Sequence, residues 1–109
     1  MTAQELCDLS ISQAADLITA GKVSPVELVS AHLDRIERTE PRLNSFITLL
    51  AEDALRQAEA AQREIRSGNR KSPLHGIPIG LKDLYYTRGI RTTVGSRILR
   101  EFVPDYDAA

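Results

Sequence analysis

Lys82 and the residues leading to it carry the clearest chemical signal in this chain. The segment Leu74-His-Gly-Ile-Pro-Ile-Gly-Leu-Lys-Asp83 is apolar and β-branched, is interrupted by Gly76, Pro78 and Gly80, and ends on an amine followed by a carboxylate. An ordinary lysine side chain has a pKa near ~10.4, so well under ~1% of such amines are neutral at neutral pH and able to accept a proton. Desolvation disfavours the ammonium form, and a drop of about 3 units corresponds to roughly 4 kcal/mol between the two protonation states. An apolar run such as Ile77-Pro-Ile-Gly-Leu81 is suited to delivering a lysine into a dry site. A neutral lysine beside a serine hydroxyl can do what histidine does in serine hydrolases. It takes the hydroxyl proton during attack on a carbonyl and returns a proton to the leaving group. From spacing alone, the plainer reading of Lys82 is a strand-end lysine whose stem lies on apolar surface while its charge stays in water.

The other chemically capable residues have plainer readings too. Asp83 reads as an exposed acid ending a strand, with orientation of Lys82 as the alternative. Ser96 lies in Val94-Gly95-Ser96-Arg97-Ile98, which lacks the second glycine of a G-x-S-x-G elbow, so it is not assigned as a nucleophile. His32 falls within a helical segment, His75 in a glycine-proline loop, and Cys7 is the only cysteine; neither a metal site nor a cofactor is expected from this set. Gly76 and Gly80 either line a pocket wall or meet a backbone need for small residues. Tyr85 and Tyr86 read as packing residues with polar tips, and substrate contact is the alternative. Arg63, Arg66, Arg70 and Lys71 read as a solvated helix end, where cations suit the dipole, more than as an anion or nucleic-acid surface.

Helices dominate the part that must support this motif. Ser12 can cap a short helix running to about Ala20, with Ile11, Ala15 and Ile18 on one side and Gly21 at the left-handed position beyond its end. Ser24-Pro25-Val26-Glu27 combines a cap, a proline at the first helical position and an acid three residues after the cap. Val26, Val29, Leu33 and Ile36 then form one stripe, and Asp34 can pair with Arg38. This helix is expected to end near Thr39, because Pro41 disfavours helix at the residue before it. Phe46-Ile-Thr-Leu-Leu50 reads as a brief strand or the opening of the next helix. Ala51 to about Arg66 is helical by propensity, with Ala54, Ala58, Ala61 and Ile65 in register and Glu52 to Arg56 and Glu59 to Arg63 as ion pairs. Ser67 to Pro73 is a polar, breaker-rich loop and the main internal boundary. Residues 77–82 read as a short strand with too few partners in this chain to complete its ladder. Asp107 followed by two alanines resembles the opening of a further helix, so the chain is expected to be a piece of a larger fold.

Composition narrows the class. The chain has 109 residues, enough for one core, and a formal net charge of -1, which gives no reason to expect a polyanion partner. No basic region followed by an apolar stretch opens the chain, and its longest strongly apolar run, Phe46 to Ala51, is far below spanning length. A cytoplasmic protein without a membrane partner is the expectation, and a single cysteine fits a reducing compartment.

Four landmarks together resemble the amidase-signature family. They are Ser24-Pro25-Val26-Glu27-Leu28, Leu43-Asn44-Ser45-Phe46, Pro73-Leu-His-Gly-Ile-Pro-Ile-Gly-Leu-Lys-Asp83 and Gly89-Ile-Arg-Thr-Thr-Val-Gly-Ser96, in that order; Gly76 to Asp83 is the specific part. The resemblance implies an α/β fold with a mixed sheet covered by helices. The chain would be the N-terminal part of a single amidase domain, mostly helical in residues 1–67, with short strands near 46–50 and 77–82. Residues 12–67 would form the helical region and 73–109 the start of the core. It also implies cleavage of carbon-nitrogen amide bonds by a serine nucleophile, a second serine with a cis peptide bond, and a lysine, for which Lys82 is the matching position. The two serines belong to a glycine- and serine-rich stretch that this chain does not contain, so no amide hydrolysis is expected from these residues alone. The implied partners are a small-molecule amide substrate and the C-terminal remainder of the domain. Partner subunits of a transfer-RNA amidotransferase are the alternative context, and a noncatalytic helical interaction module is the alternative of a different class.

Overall fold

The computed structural model describes every residue from Met1 to Ala109. The chain forms two compact units, Met1–Pro78 and Ile79–Ala109.

The first unit holds four helices: α1 (Ala3–Cys7), α2 (Ile11–Thr19), α3 (Pro25–Leu43) and α4 (Ala51–Arg66). Three of them start on reciprocal capping boxes, Thr2 with Glu5, Ser10 with Gln13 and Ser24 with Glu27. In each, the cap hydroxyl accepts the third helical N–H while the side chain at that position accepts the cap's own N–H, so two otherwise free donors are satisfied. The second helix is therefore capped by Ser10 and not by Ser12. Gln13 lies three residues after Ser10 and closes the box, whereas Ser12 has no such partner. Gly21 takes φ +72° beyond the end of α2, the left-handed position expected of it.

Helix α3 runs to Leu43, one turn past the expected stop at Thr39, with Pro41 inside it. The missing proline donor would have bonded the carbonyl of Glu37, an exposed residue where water can replace it. Asn44 then turns left-handed at φ 49°, and its N–H bonds to the Glu40 carbonyl at 2.9 Å. The Glu40 carboxylate also accepts the N–H groups of Ser45 and Phe46, the latter at 3.0 Å. Those contacts direct residues 45–50 into an exposed connection, and the short strand expected over 46–50 does not form.

The core gathers Leu6, Ala14, Ile18, Val23, Leu28 and Ala31, with Ile65 and Ile77 against it. Helix α3 packs on α1 and on α4. The small faces of Ala58 and Ala61, both buried, let α4 lie close. Asp34 pairs with Arg38 at 3.1 Å as expected. On α4, Arg56 instead takes Asp53 at 2.9 Å, which also accepts from Gln57 at 2.7 Å, so the Glu52 to Arg56 pair is not made; Glu59 and Arg63 do not pair either. No helix is long and apolar enough to cross a membrane.

The polar loop after α4 is pinned to this unit. The Arg70 guanidinium donates to the carbonyls of Ser72, Pro73 and Ala15 at 3.1–3.4 Å. Lys71 pairs with Glu64 at 3.1 Å, and His75 lies 3.3 Å from the same carboxylate while its Nδ1 accepts the Lys71 N–H at 3.1 Å. Arg70 and Lys71 thus both contact neighbouring groups of this unit, while the Lys71 side chain stays exposed.

The second unit contains no helix and no strand, only an antiparallel bridge between Thr87 and Ile90. The strand expected over 77–82 is absent, and so is the mixed sheet implied by the resemblance: this chain contributes helices and extended backbone. Pro78 supplies no donor, no neighbouring strand is present to complete a ladder, and Ile79 and Leu81 are exposed. Cross-links hold the unit: Thr92 N–H to the Phe102 carbonyl at 2.9 Å, Gly89 N–H to the Pro104 carbonyl at 2.9 Å, and Ala108 N–H to the Tyr86 carbonyl at 2.7 Å. Tyr86 packs edge-on against Phe102, with ring centres 5.3 Å apart, and tilts against Tyr106 at 5.4 Å.

Candidate active site

Lys82 sits at the head of a tight turn. Its carbonyl accepts the N–H groups of Leu84 at 2.7 Å and Tyr85 at 3.2 Å, which fixes its backbone while leaving the side chain exposed. No carboxylate lies within ion-pair distance of its amine. The neighbouring Asp83 makes no ion pair with the Lys82 amine and does not stand free in water. It is half-buried, and its carboxylate accepts the Thr93 N–H at 2.8 Å and the Thr93 hydroxyl. Thr93 is itself buried and its Oγ1 accepts the Gly95 N–H at 3.3 Å. Ser96 N–H closes the turn on the Thr93 carbonyl at 2.9 Å, across Val94 and Gly95, both at positive φ.

Thr93 is the residue whose role sequence reasoning missed. Its signal was present in Arg91-Thr-Thr-Val-Gly-Ser96, where paired threonines precede a glycine, a pattern that favours side-chain to backbone bonding at a turn. Ser96 is not brought to Lys82; its hydroxyl accepts the Ile98 N–H at 3.2 Å. Of the two tyrosines, Tyr86 packs and Tyr85 is exposed. His32 is partly buried in α3, and that burial, with the nearby Arg35 charge, holds its pKa below the ordinary histidine value. His75 braces the loop after α4.

The Thr93 hydroxyl, and after it the Thr93 N–H, hold the Asp83 carboxyl below the usual aspartate range. A carboxyl whose pKa is lowered on folding stabilises the folded form above its unfolded value, near ~3.9, and that contribution disappears as pH falls through the lower folded value. All three tyrosines, Tyr85, Tyr86 and Tyr106, lie in the second unit. Near-ultraviolet circular dichroism of tyrosine should therefore lose its signal on acidification below about pH 4, and an Asp83→Asn variant should lack that step.

Residues 27–109 match the family described as Amidase. The chain is 50% identical over 103 residues to a glutamyl-tRNA(Gln) amidotransferase subunit of Geobacter sp. strain M21, covering 94% of this chain and 21% of that protein. It is 49% identical over 104 residues to the protein of the same name from Dehalococcoides mccartyi strain 195, covering 95% and 21%. It is 48% identical over 104 residues to that of Granulibacter bethesdensis, again covering 95% and 21%. The chain spans about a fifth of the length of these curated relatives, at 21%. With the lysine motif inside the matched region and about half of the residues shared along nearly the whole chain, it belongs to the amidase family.

Proposed function

We propose that this chain is the lysine-bearing N-terminal part of an amide-cleaving enzyme, in which Lys82 is the proton-transfer residue. The observation that carries this reading is the exposed Lys82 amine, free of any carboxylate, beside an acid already engaged by Thr93. A carboxylate against an amine favours the ammonium form, which is the wrong state for accepting a proton. Engaging Asp83 elsewhere leaves the amine open to a serine hydroxyl from the remainder of the protein. In that site Lys82 Nζ takes the hydroxyl proton as the serine oxygen bonds to the amide carbon. The same proton then passes to the departing nitrogen as the carbon-nitrogen bond breaks, and water releases the acyl group. Desolvation of the amine falls to residues outside this chain, since Leu81 and Leu84 beside it are themselves exposed.

The names of the relatives favour a specific setting, the amidase component of a glutamyl-tRNA(Gln) amidotransferase, working with partner subunits. Full-length protein should release ammonia from a primary amide, with glutamine as the probe. Addition of copurifying subunits and glutamylated transfer RNA should direct that nitrogen onto the transfer RNA. Ammonia release that is undiminished and never transferred, with no copurifying subunits, would favour a free amidase. Absence of amide cleavage under every condition would defeat the enzyme reading and favour a noncatalytic module.

A further inference from the structure

The geometry points to Asp83 as a positioning residue that, by gripping Thr93, holds the turn of residues 93–96 as the rigid frame from which the Lys82 amine is presented. This inference rests on Lys82 being the proton-transfer group.

Four observations support it. Lys82 and Asp83 are consecutive, so whatever fixes the Asp83 side chain also limits rotation of the peptide that carries Lys82. The carboxylate makes two bonds to one residue, the Thr93 N–H and the Thr93 hydroxyl, a paired grip that restrains direction as well as distance. The Lys82 carbonyl is held separately by Leu84 and Tyr85, so the peptide is constrained on both sides. Finally, the gripped turn is strained: Val94 sits at φ 53°, where a β-branched residue is a genuine outlier. Such a conformation persists only when its surroundings over-determine it. Here the Thr93 carbonyl bond to Ser96, the Thr93 hydroxyl bond to Gly95 and the Asp83 grip together supply that restraint. The low pKa of Asp83 keeps the grip ionised across the neutral range.

The test uses the full-length protein, with ammonia release from glutamine as the readout and rates normalised to folded enzyme. Asp83→Asn and Thr93→Val should each lower kcat by about 10- to 100-fold, the scale of loss for misplacing a reacting group by an ångström, with KM within about 3-fold of wild type. Thr93→Ser, which keeps the hydroxyl, should restore most of kcat. The acid-side limb of the kcat profile should move to higher pH in Thr93→Val, where the freed Asp83 carboxylate can turn to the amine, and stay in place in Thr93→Ser. A loss of folded protein alone would scale the whole profile and leave the limb unmoved, and that result would overturn the positioning role. So would wild-type kcat in Thr93→Val, or equal losses in Thr93→Val and Thr93→Ser. If Asp83→Asn does not fold, the two Thr93 variants decide the matter. Turnover that survives Lys82→Ala would instead sink the reading on which this inference rests, whatever the Asp83 variants do.

Discussion

Lys82→Ala in the full-length protein should lower kcat for amide cleavage by about 100- to 10,000-fold, the range that a positioned acid-base group contributes. The fold should be untouched: Lys82 is exposed, makes no ion pair and holds its turn only through its backbone carbonyl, which alanine retains. Surface changes of this kind stay within about ±0.5 kcal/mol. Steady-state ammonia release together with thermal unfolding separates the two effects. Lys82→Arg makes the test chemical and not merely structural. Arginine keeps the positive charge and a long stem but does not give up its proton, so it should be as inactive as alanine. An active Lys82→Arg protein would show that the site uses a fixed charge and not a mobile proton.

The largest stability effect should come from Gly76→Ala. The backbone at Gly76 has φ +90°, and a Cβ built there would lie 2.7 Å from Pro25 Cγ, 3.2 Å from Pro25 Cβ and 3.4 Å from Ile65 Cδ1. Pro25 is buried at the first position of α3, its ring locked, so it has little freedom to withdraw. The substitution costs about 1 kcal/mol or more for the left-handed conformation and about 1–3 kcal/mol for overpacking. A total of about 2–4 kcal/mol is expected. Gly68→Ala is the matched control, because Gly68 has φ +89° with nothing within 4 Å of an added Cβ. It should cost only the conformational part, about 1 kcal/mol. All four helices lie in the first unit, so urea unfolding followed by far-ultraviolet circular dichroism reports the unit that contains both sites. Equal losses in the two variants would mean that Pro25 and Ile65 yield to the added methyl.

Sequence reasoning was strongest where a few neighbouring residues settle the outcome among themselves. The capping box of Ser24 and Glu27, the helix over 51–66, the left-handed Gly21 and the Asp34 to Arg38 pair all depend on partners within four positions. The same locality explains the near misses. Ser10 and Ser12 are both good caps, and only Gln13 at the third position after Ser10 chooses between them. Pro41 is a helix breaker on average, but in the last turn it forfeits a single exposed bond, and Asn44 and Glu40 close the end.

The expected strands failed for a different reason. Apolar, β-branched runs such as 46–50 and 77–82 are compatible with a strand, yet a strand exists only when another supplies its ladder, and this chain holds no such partner. Lys82 became a candidate through the resemblance of its motif to the family's lysine position, since spacing alone favoured a strand-end lysine with its charge in water. The bond between Asp83 and Thr93 was not legible, because Asp83 reaches that residue across ten positions of irregular loop, and no periodicity joins residues so placed. The amino-acid order by itself pointed to α2, α3 and α4 and, through the resemblance of its motifs, to the family and the candidate lysine, whereas the short α1 was not anticipated. Only the tertiary structure decided that the acid beside that lysine is turned away to bind a threonine, because a carboxylate's partner is chosen by where the whole loop brings donors, not by which residue comes next in the chain.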